Sequence, residues 1–185
     1  AKADIYTFKF QYDPALILYD NFDGLDIDDR YWKRFNDYQN TLWCWFQTGD
    51  AAQSTVADGK LQLKAVYEGG TYKTGAVTGK GKLDYETPFR IDCRAAMSRR
   101  ATGFWCAIWT VPTTGYQNGE IDIMEAGNHY TDASFASTAQ YTCHNPYTIN
   151  TPTKRYDLFR PGQDQPNSAK VTLDNPDGYH TKSVE

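Results

Sequence analysis

The sequence predicts an all-β protein, a sandwich of antiparallel sheets. Three observations carry that expectation. No stretch of the 185 residues sustains apolar side chains at i, i+3, i+4 and i+7 over the length a helix needs. Short β-rich or alternating runs recur along the chain, punctuated by Gly, Asp, Asn and Pro. An Asp58-Gly59 pair joins two of these runs, and such a pair tolerates the positive φ values of a type I′ hairpin turn. Many short strands separated by turns fit a sandwich better than a barrel or a helical layer fold. The length suits one domain with a proper core. No linker, repeat or low-complexity tract divides it, so residues 1–185 are expected to form a single domain.

In chain order, the β-rich runs predict strands at Tyr6–Gln11, Ala15–Tyr19, Trp43–Gln47, Thr55–Ala57, Lys60–Tyr67, Gly75–Gly79, Lys82–Tyr85, Phe89–Ala96, Phe104–Thr110, Glu120–Glu125, Ser134–Cys143, Lys170–Leu173 and Tyr179–Val184. Within Lys60–Tyr67, Leu61, Leu63 and Ala65 alternate with Gln62, Lys64 and Val66, which predicts one face turned inward. The span Asn145–Asn167 is rich in Pro, Thr, Asn and Gly and reads as a long ordered loop.

Composition narrows the function. A net charge of −4 argues against nucleic-acid binding, which needs clustered Lys and Arg; the one basic cluster, Arg99-Arg100 with Arg94 nearby, reads as solvated surface. No apolar run reaches the ~20 residues of a membrane-spanning helix. No secretory leader is visible at Ala1, which fits a mature or a cytosolic chain. Cys44, Cys93, Cys106 and Cys143 could pair in three ways or stay as buried thiols, and their spacing fits no zinc pattern. Tyr outnumbers Phe and Trp, 14 against 9 and 5, and Tyr and Trp suit sugar rings as well as core packing.

The most informative segment is Gly119-Glu120-Ile121-Asp122-Ile123-Met124-Glu125-Ala126-Gly127. Acidic residues are depleted from strands, yet three occur here in a strongly β-forming run. Side chains alternate along a strand, so Glu120 and Asp122 share a face while Glu125 has the wrong parity. A β-bulge at Ile123-Met124 would return Glu125 to their side and leave the isoleucines and Met124 to the core. Two carboxyl groups ~5–5.5 Å apart are what a retaining glycosidase needs, one as nucleophile and one as general acid. Like charges packed together keep at least one group protonated near neutrality. That proton is assigned to Glu125 as acid/base, Glu120 is the ionised nucleophile, and Asp122 orients Glu120 by a hydrogen bond. A calcium site would instead place Asp and Asn on a Gly-containing loop, and a plain solvent face would dilute the acids with Gln, Lys or Thr.

Glu120-Ile121-Asp122-Ile123-Met124-Glu125 resembles the ExDxxE signature of glycoside hydrolase family 16, in its bulged rather than its licheninase-like form. Phe22-Asp23-Gly24 with Tyr31-Trp32, Asp58-Gly59-Lys60-Leu61, Tyr72 to Lys80, Gly103 to Trp109, and Tyr179-His180-Thr181 with Val184-Glu185 resemble further segments of that family in the same order. The resemblance implies a concanavalin-like jelly roll of two antiparallel sheets with a concave substrate cleft. It also implies Glu120 as nucleophile, Asp122 as assisting acid and Glu125 as acid/base, with Trp105 stacking on sugar near the cleavage point. Cys106 departs from the family's usual Pro. Family members continue through several strands beyond the position of Glu185, so the sandwich is expected to be incomplete here, its remainder lying on another segment or chain. No cofactor is expected, though the family can carry a structural cation such as calcium on its convex face.

Around the acids, Trp105 and Trp109 are placed on one side of their strand; Trp105 is read as substrate-binding, and Trp109 is left open between binding and core. His144 is expected to hydrogen-bond substrate or Glu125, and Asn128 a sugar hydroxyl. Trp43 and Trp45 share a face and are candidates for a further sugar platform. Together these features predict a secreted, periplasmic or cell-surface endo-acting retaining hydrolase of a β-linked glucan or galactan. Transglycosylation through the same intermediate, or a non-catalytic lectin-like sandwich, are the alternatives; a jelly-roll polysaccharide lyase ranks last.

Overall fold

The structure, a computed structural model, describes residues 17–35, 39–40, 45–46, 50–86, 88–97, 103–114, 119–127, 137–144, 167–173, 175 and 177–184. They contain no α-helix, and every strand pairing is antiparallel, so the expected all-β class holds. The chain forms two compact units, Ala1–Tyr85 and Glu86–Glu185.

In the first unit, β1 (Lys33–Arg34) pairs with β8 (Val77–Thr78) and β2 (Gln39–Asn40) with β3 (Trp45–Phe46). Likewise, β4 (Ser54–Val56) pairs with β5 (Leu61–Leu63) and β6 (Ala65–Glu68) with β7 (Thr71–Thr74). The Asp58-Gly59 turn is of the expected kind: both residues have positive φ, 54° and 66°, and Ala57 and Lys60 exchange backbone hydrogen bonds of 3.0 and 3.1 Å. Gly69 and Gly70, at φ 60° and 79°, close a second hairpin of the same logic. It brings the rings of Tyr67 and Tyr72 together across the strands, tilted at 52° with centroids 4.8 Å apart.

The run Lys60–Tyr67 is not one strand. It breaks at Lys64, whose N–H donates to Gln53 O at 2.9 Å and whose carbonyl accepts from Gly75 N at 2.8 Å. That break undoes the expected alternation: Leu63 and Ala65 are exposed, while Leu61 and Val66 are half-buried. Gly75 is required at this junction, because a Cβ there would stand 2.0 Å from the Gln53 carbonyl oxygen. The strand expected at Lys82–Tyr85 is absent, since a turn occupies its start: the N–H groups of Lys82 and Leu83 both donate to Gly79 O at 2.8 Å, and Gly81 sits at φ 77°. Residues 17–19 form no strand, and the expected strand Tyr6–Gln11 lies outside the described residues, as does the span 145–166. Near the start of the unit, the Asp20 carboxylate accepts the Phe22 N–H and the Trp32 indole N–H, each at 2.8 Å. This pins the Phe22-Asp23-Gly24 turn, where Phe22 has φ 54°.

In the second unit, β10 (Trp105–Thr110), β11 (Glu120–Gly127), β12 (Thr138–His144) and β13 (Asn167–Thr172) form one sheet in that order. A separate pair joins β9 (Ile91–Ala95) to β14 (His180–Val184). Met97, Met124, Ala126, Ala139 and Leu173 form a buried cluster against which Phe104, Cys106, Ile108 and Tyr141 pack. Cys106 and Ile108 of β10, Met124 and Ala126 of β11, and Ala139 and Tyr141 of β12 hold alternate positions, so one face of this sheet is apolar. Lys182, also buried, places Nζ 5.6 Å from the Tyr141 ring centroid, a cation–π contact. Cys93 and Cys143 are free thiols, and Cys44 lies outside the described residues.

Replacing Gly75 by Ala should destabilise the protein by about 2–3 kcal/mol through overpacking against backbone. Thermal unfolding would register this as a Tm several degrees lower; an unchanged Tm would contradict the close approach of Gly75 to Gln53.

Candidate active site

The opposite face of the four-stranded sheet carries the acids. On β11, Glu120, Asp122 and Glu125 alternate with Ile121, Ile123 and Met124 until the alternation is interrupted. The registers on both sides locate the interruption. Against β10, Ile108 pairs with Met124 and Trp109 with Asp122; against β12, Asp122 pairs with Thr142 and Glu125 with Gln140. An extra residue is therefore accommodated at Ile123-Met124, where the bulge was expected, and both of these side chains are buried, 2% and 6% exposed. Glu125 returns to the face of Glu120 and Asp122.

Cross-strand rows follow from the register. Trp109, Asp122 and Thr142 form one row, and Ala107, Glu125 and Gln140 the next. Gly127 stands opposite Trp105, and Glu120 opposite His144. Gly127 has no substitute there, since a Cβ would lie 2.1 Å from Phe104 O and 2.9 Å from Trp105 Cε3. Along β12, Thr138, Gln140, Thr142 and His144 alternate with Ala139, Tyr141 and Cys143, so a polar column borders the acids and the Ala139–Tyr141 side faces the core.

Asp122 and Glu120 meet at His144, and Glu125 is held separately by neutral donors. Asp122 is 4% exposed and shares a 2.7 Å hydrogen bond with His144 Nε2, which also lies 3.6 Å from Glu120 Oε1. Glu125 Oε1 accepts the Trp105 indole N–H at 3.2 Å, while its Oε2 accepts from Thr142 Oγ1 at 3.3 Å and Gln140 Nε2 at 3.4 Å. Burial pushes the Glu120 carboxyl up to about 7, reinforced by the neighbouring Asp122 charge and opposed by His144. Burial and Asp122 also raise Glu125, against the lowering effect of Trp105 and Thr142. The assignment of the site's proton to Glu125 alone thus needs enlarging: both glutamates are driven toward the protonated form.

Of the residues singled out in the sequence, the structure brings together Glu120, Asp122, Glu125, Trp105 and His144, with Trp109 on the same face. Trp109 is 45% exposed and so is not a core residue. His144 meets Asp122 rather than serving Glu125 as one expected option had it. Asn128 and Trp43 lie outside the described residues, and for Trp45 only the backbone of β3 is described. Sequence reasoning missed Gln140, Thr142 and Gly127. The strict polar–apolar alternation of Thr138–His144 was the available signal for the first two. Glu120, Asp122 and His144 are the group among the described residues whose ligand atoms converge within 4.8 Å. We read them as a hydrogen-bonded network, because the imidazole nitrogen within reach is engaged by Asp122.

No protein-family model matches the chain, and no curated protein matches it. Solved structures do, and the fold is that of glycoside hydrolase family 16. The laminarinase from Rhodothermus marinus aligns with a TM-score of 0.65 at 20% identity, over 91% of this chain and 66% of that one. A glycoside hydrolase family 16 endo-glucanase from Bacteroides ovatus aligns at 0.63 and 21%, over 89% and 68%. Rv0315 of Mycobacterium tuberculosis, described as an immunostimulatory antigen and pseudo β-1,3-glucanase, aligns at 0.60 and 17%, over 92% and 67%. This chain spans 62–70% of the length of the structures it matches. A fold shared by active and pseudo-enzymes leaves function to the site.

A raised carboxyl pKa stabilises the folded state below the unfolded value, and that stabilisation is lost as pH rises through the folded value. For Glu120 the window runs from the ordinary glutamate value of 4.5 to about 7. Glu120→Gln, which cannot ionise, should therefore raise Tm by roughly 3–6 °C at pH 8 and by little at pH 4. An equal effect at both pH values would contradict a buried, pH-sensitive Glu120.

Proposed function

We propose that this chain carries the catalytic face of an endo-acting, retaining hydrolase of a β-linked polysaccharide. The observation that supports it most is the alignment of Glu120, Asp122 and Glu125 on one sheet face by the bulge at Ile123-Met124. Three acids crowded on a half-buried surface are costly to hold, and glycoside cleavage through a covalent intermediate is a chemistry that uses them.

In the first step the Glu120 carboxylate attacks the anomeric carbon. The glycosidic C–O bond breaks, its electron pair stays on the leaving oxygen, and that oxygen takes the Glu125 proton. In the second step a water molecule gives a proton to Glu125, its oxygen attacks the anomeric carbon, and the bond to Glu120 breaks. Asp122, hydrogen-bonded to His144 and beside Glu120 on the same strand face, orients Glu120 as it changes from free carboxylate to ester. A sugar hydroxyl replacing water in the second step gives transglycosylation with the same residues. Trp109 offers an exposed indole on the acid face, suited to stacking on a sugar ring. A polymeric substrate of this kind fits action in secreted, periplasmic or cell-surface form.

A non-catalytic sandwich remains the second reading, favoured by the pseudo-enzyme that shares the fold. Reducing-end release from laminarin, mixed-linkage glucan, agarose, porphyran, carrageenan and mucin-type glycans separates the two, using the full-length protein. Glu120→Gln and Glu125→Gln should each lower turnover on the responsive substrate by about 10²–10⁴-fold or more while retaining oligosaccharide binding. Near-normal turnover by either variant removes that residue from the mechanism. Activity on none of the substrates, with binding kept, establishes the lectin-like reading. Because Glu120 must be ionised to attack, kcat/KM should fall as pH drops below about 7.

A further inference from the structure

Glu125 is held from both neighbouring strands. Trp105 on β10 donates to Oε1, and Thr142 and Gln140 on β12 reach Oε2. The donors differ in kind. An indole N–H can only donate, and the Gln140 amide donates here to both Oε2 and, at 3.2 Å, Thr142 Oγ1. A threonine hydroxyl can rotate to donate or accept. Thr142 is 2% exposed, so its hydroxyl has no bulk water to turn to.

That asymmetry matches the two tasks of an acid/base. With Glu125 ionised, all three groups donate to it. With Glu125 protonated on Oε2, Thr142 can turn to accept that proton's hydrogen bond. With the proton on Oε1, that oxygen keeps a lone pair for Trp105 while its single O–H hydrogen stays free to reach the leaving group. We propose that Trp105, Gln140 and Thr142 are positioning residues that fix the Glu125 carboxyl and govern its exchange between proton donor and proton acceptor. The proposal rests on the hydrolase reading above, and it adds to Trp105 a task distinct from stacking on sugar.

The other groups facing Glu125 set the background. Asp122 and Glu120 share its strand face, and their negative charge favours the protonated form. His144 on β12 acts in the opposite sense. Across β10 the partner is Ala107, which carries no charge, and Lys170 of β13 holds the register position beyond Gln140. Against that background the cradle favours the carboxylate, so removing a donor should make Glu125 hold its proton to higher pH.

The test is a side-chain carboxyl titration of Glu125 by NMR on the ¹³C-labelled full chain, assigned by difference from Glu125→Gln, with the basic limb of the kcat/KM profile alongside. Thr142→Val keeps shape and removes the hydroxyl; Thr142→Ser keeps the hydroxyl; Gln140→Met removes the amide at a half-buried position; Trp105→Phe removes the indole N–H. Thr142→Val, Gln140→Met and Trp105→Phe should each raise the Glu125 midpoint by about one pH unit, with the basic limb following. Thr142→Ser should leave both within a few tenths of a unit. Unmoved midpoints in Thr142→Val and Gln140→Met overturn the cradle. Failure of the hydrolase reading is recognised separately, by near-normal turnover in Glu125→Gln whatever the midpoints do.

Discussion

The direction in which Glu125 faces depends on one additional residue in β11. Strand geometry fixes side-chain direction with a period of two, so a glutamate five positions after another belongs on the other face. The register shift at Ile123-Met124 corrects that parity. It does so at little expense to the core, because both residues of the bulge are buried apolar side chains. Were the strand regular, either Glu125 would enter the apolar cluster of Met97, Met124, Ala126, Ala139 and Leu173, or the whole register would slip.

Everything chemical follows from that alignment. Asp122 is buried between its neighbours, His144 binds it from β12, and Glu120 is raised by burial beside it. Glu125 is separately held by Trp105 from one side and by Thr142 and Gln140 from the other. Two carboxyl environments thus arise on a single strand, one bordered by an imidazole and one by neutral donors. Different partners for chemically identical groups are what separate a nucleophile from an acid. Gly127 serves the same end by steric means, clearing the space in which the Trp105 backbone and ring sit.

The common face of the three acids was legible because its signal is local. Acids at Glu120, Asp122 and Glu125 in a β-forming run stand against strand composition, and parity alone demanded the bulge. The two-residue turn at Asp58-Gly59 was legible for the same reason. Less legible were features set by pairing across the sheet. Lys64 interrupts what reads as one strand because Gln53 and Gly75 claim its backbone groups, and neither is near it in sequence. Lys82–Tyr85 carries strand-like residues but is preceded by a turn that uses their N–H groups. Gln140 and Thr142 went unnoticed because nothing in their own segment tells which strand lies beside them. Trp109 stayed undecided for a similar reason: strand parity groups it with Trp105, and only the sheet shows that this side bears the acids.

The direct attack proposed for Glu120, with Glu125 on the same face, would have a stereochemical consequence that no structural variant can confuse. Proton NMR of the products in the first moments of cleavage, before mutarotation, reads it on the unaltered protein. Two displacements at the anomeric carbon deliver the β-anomer first from a β-linked substrate. An α-anomer appearing first would mean that water, not Glu120, attacks the sugar, and the alignment on β11 would then serve a different chemistry.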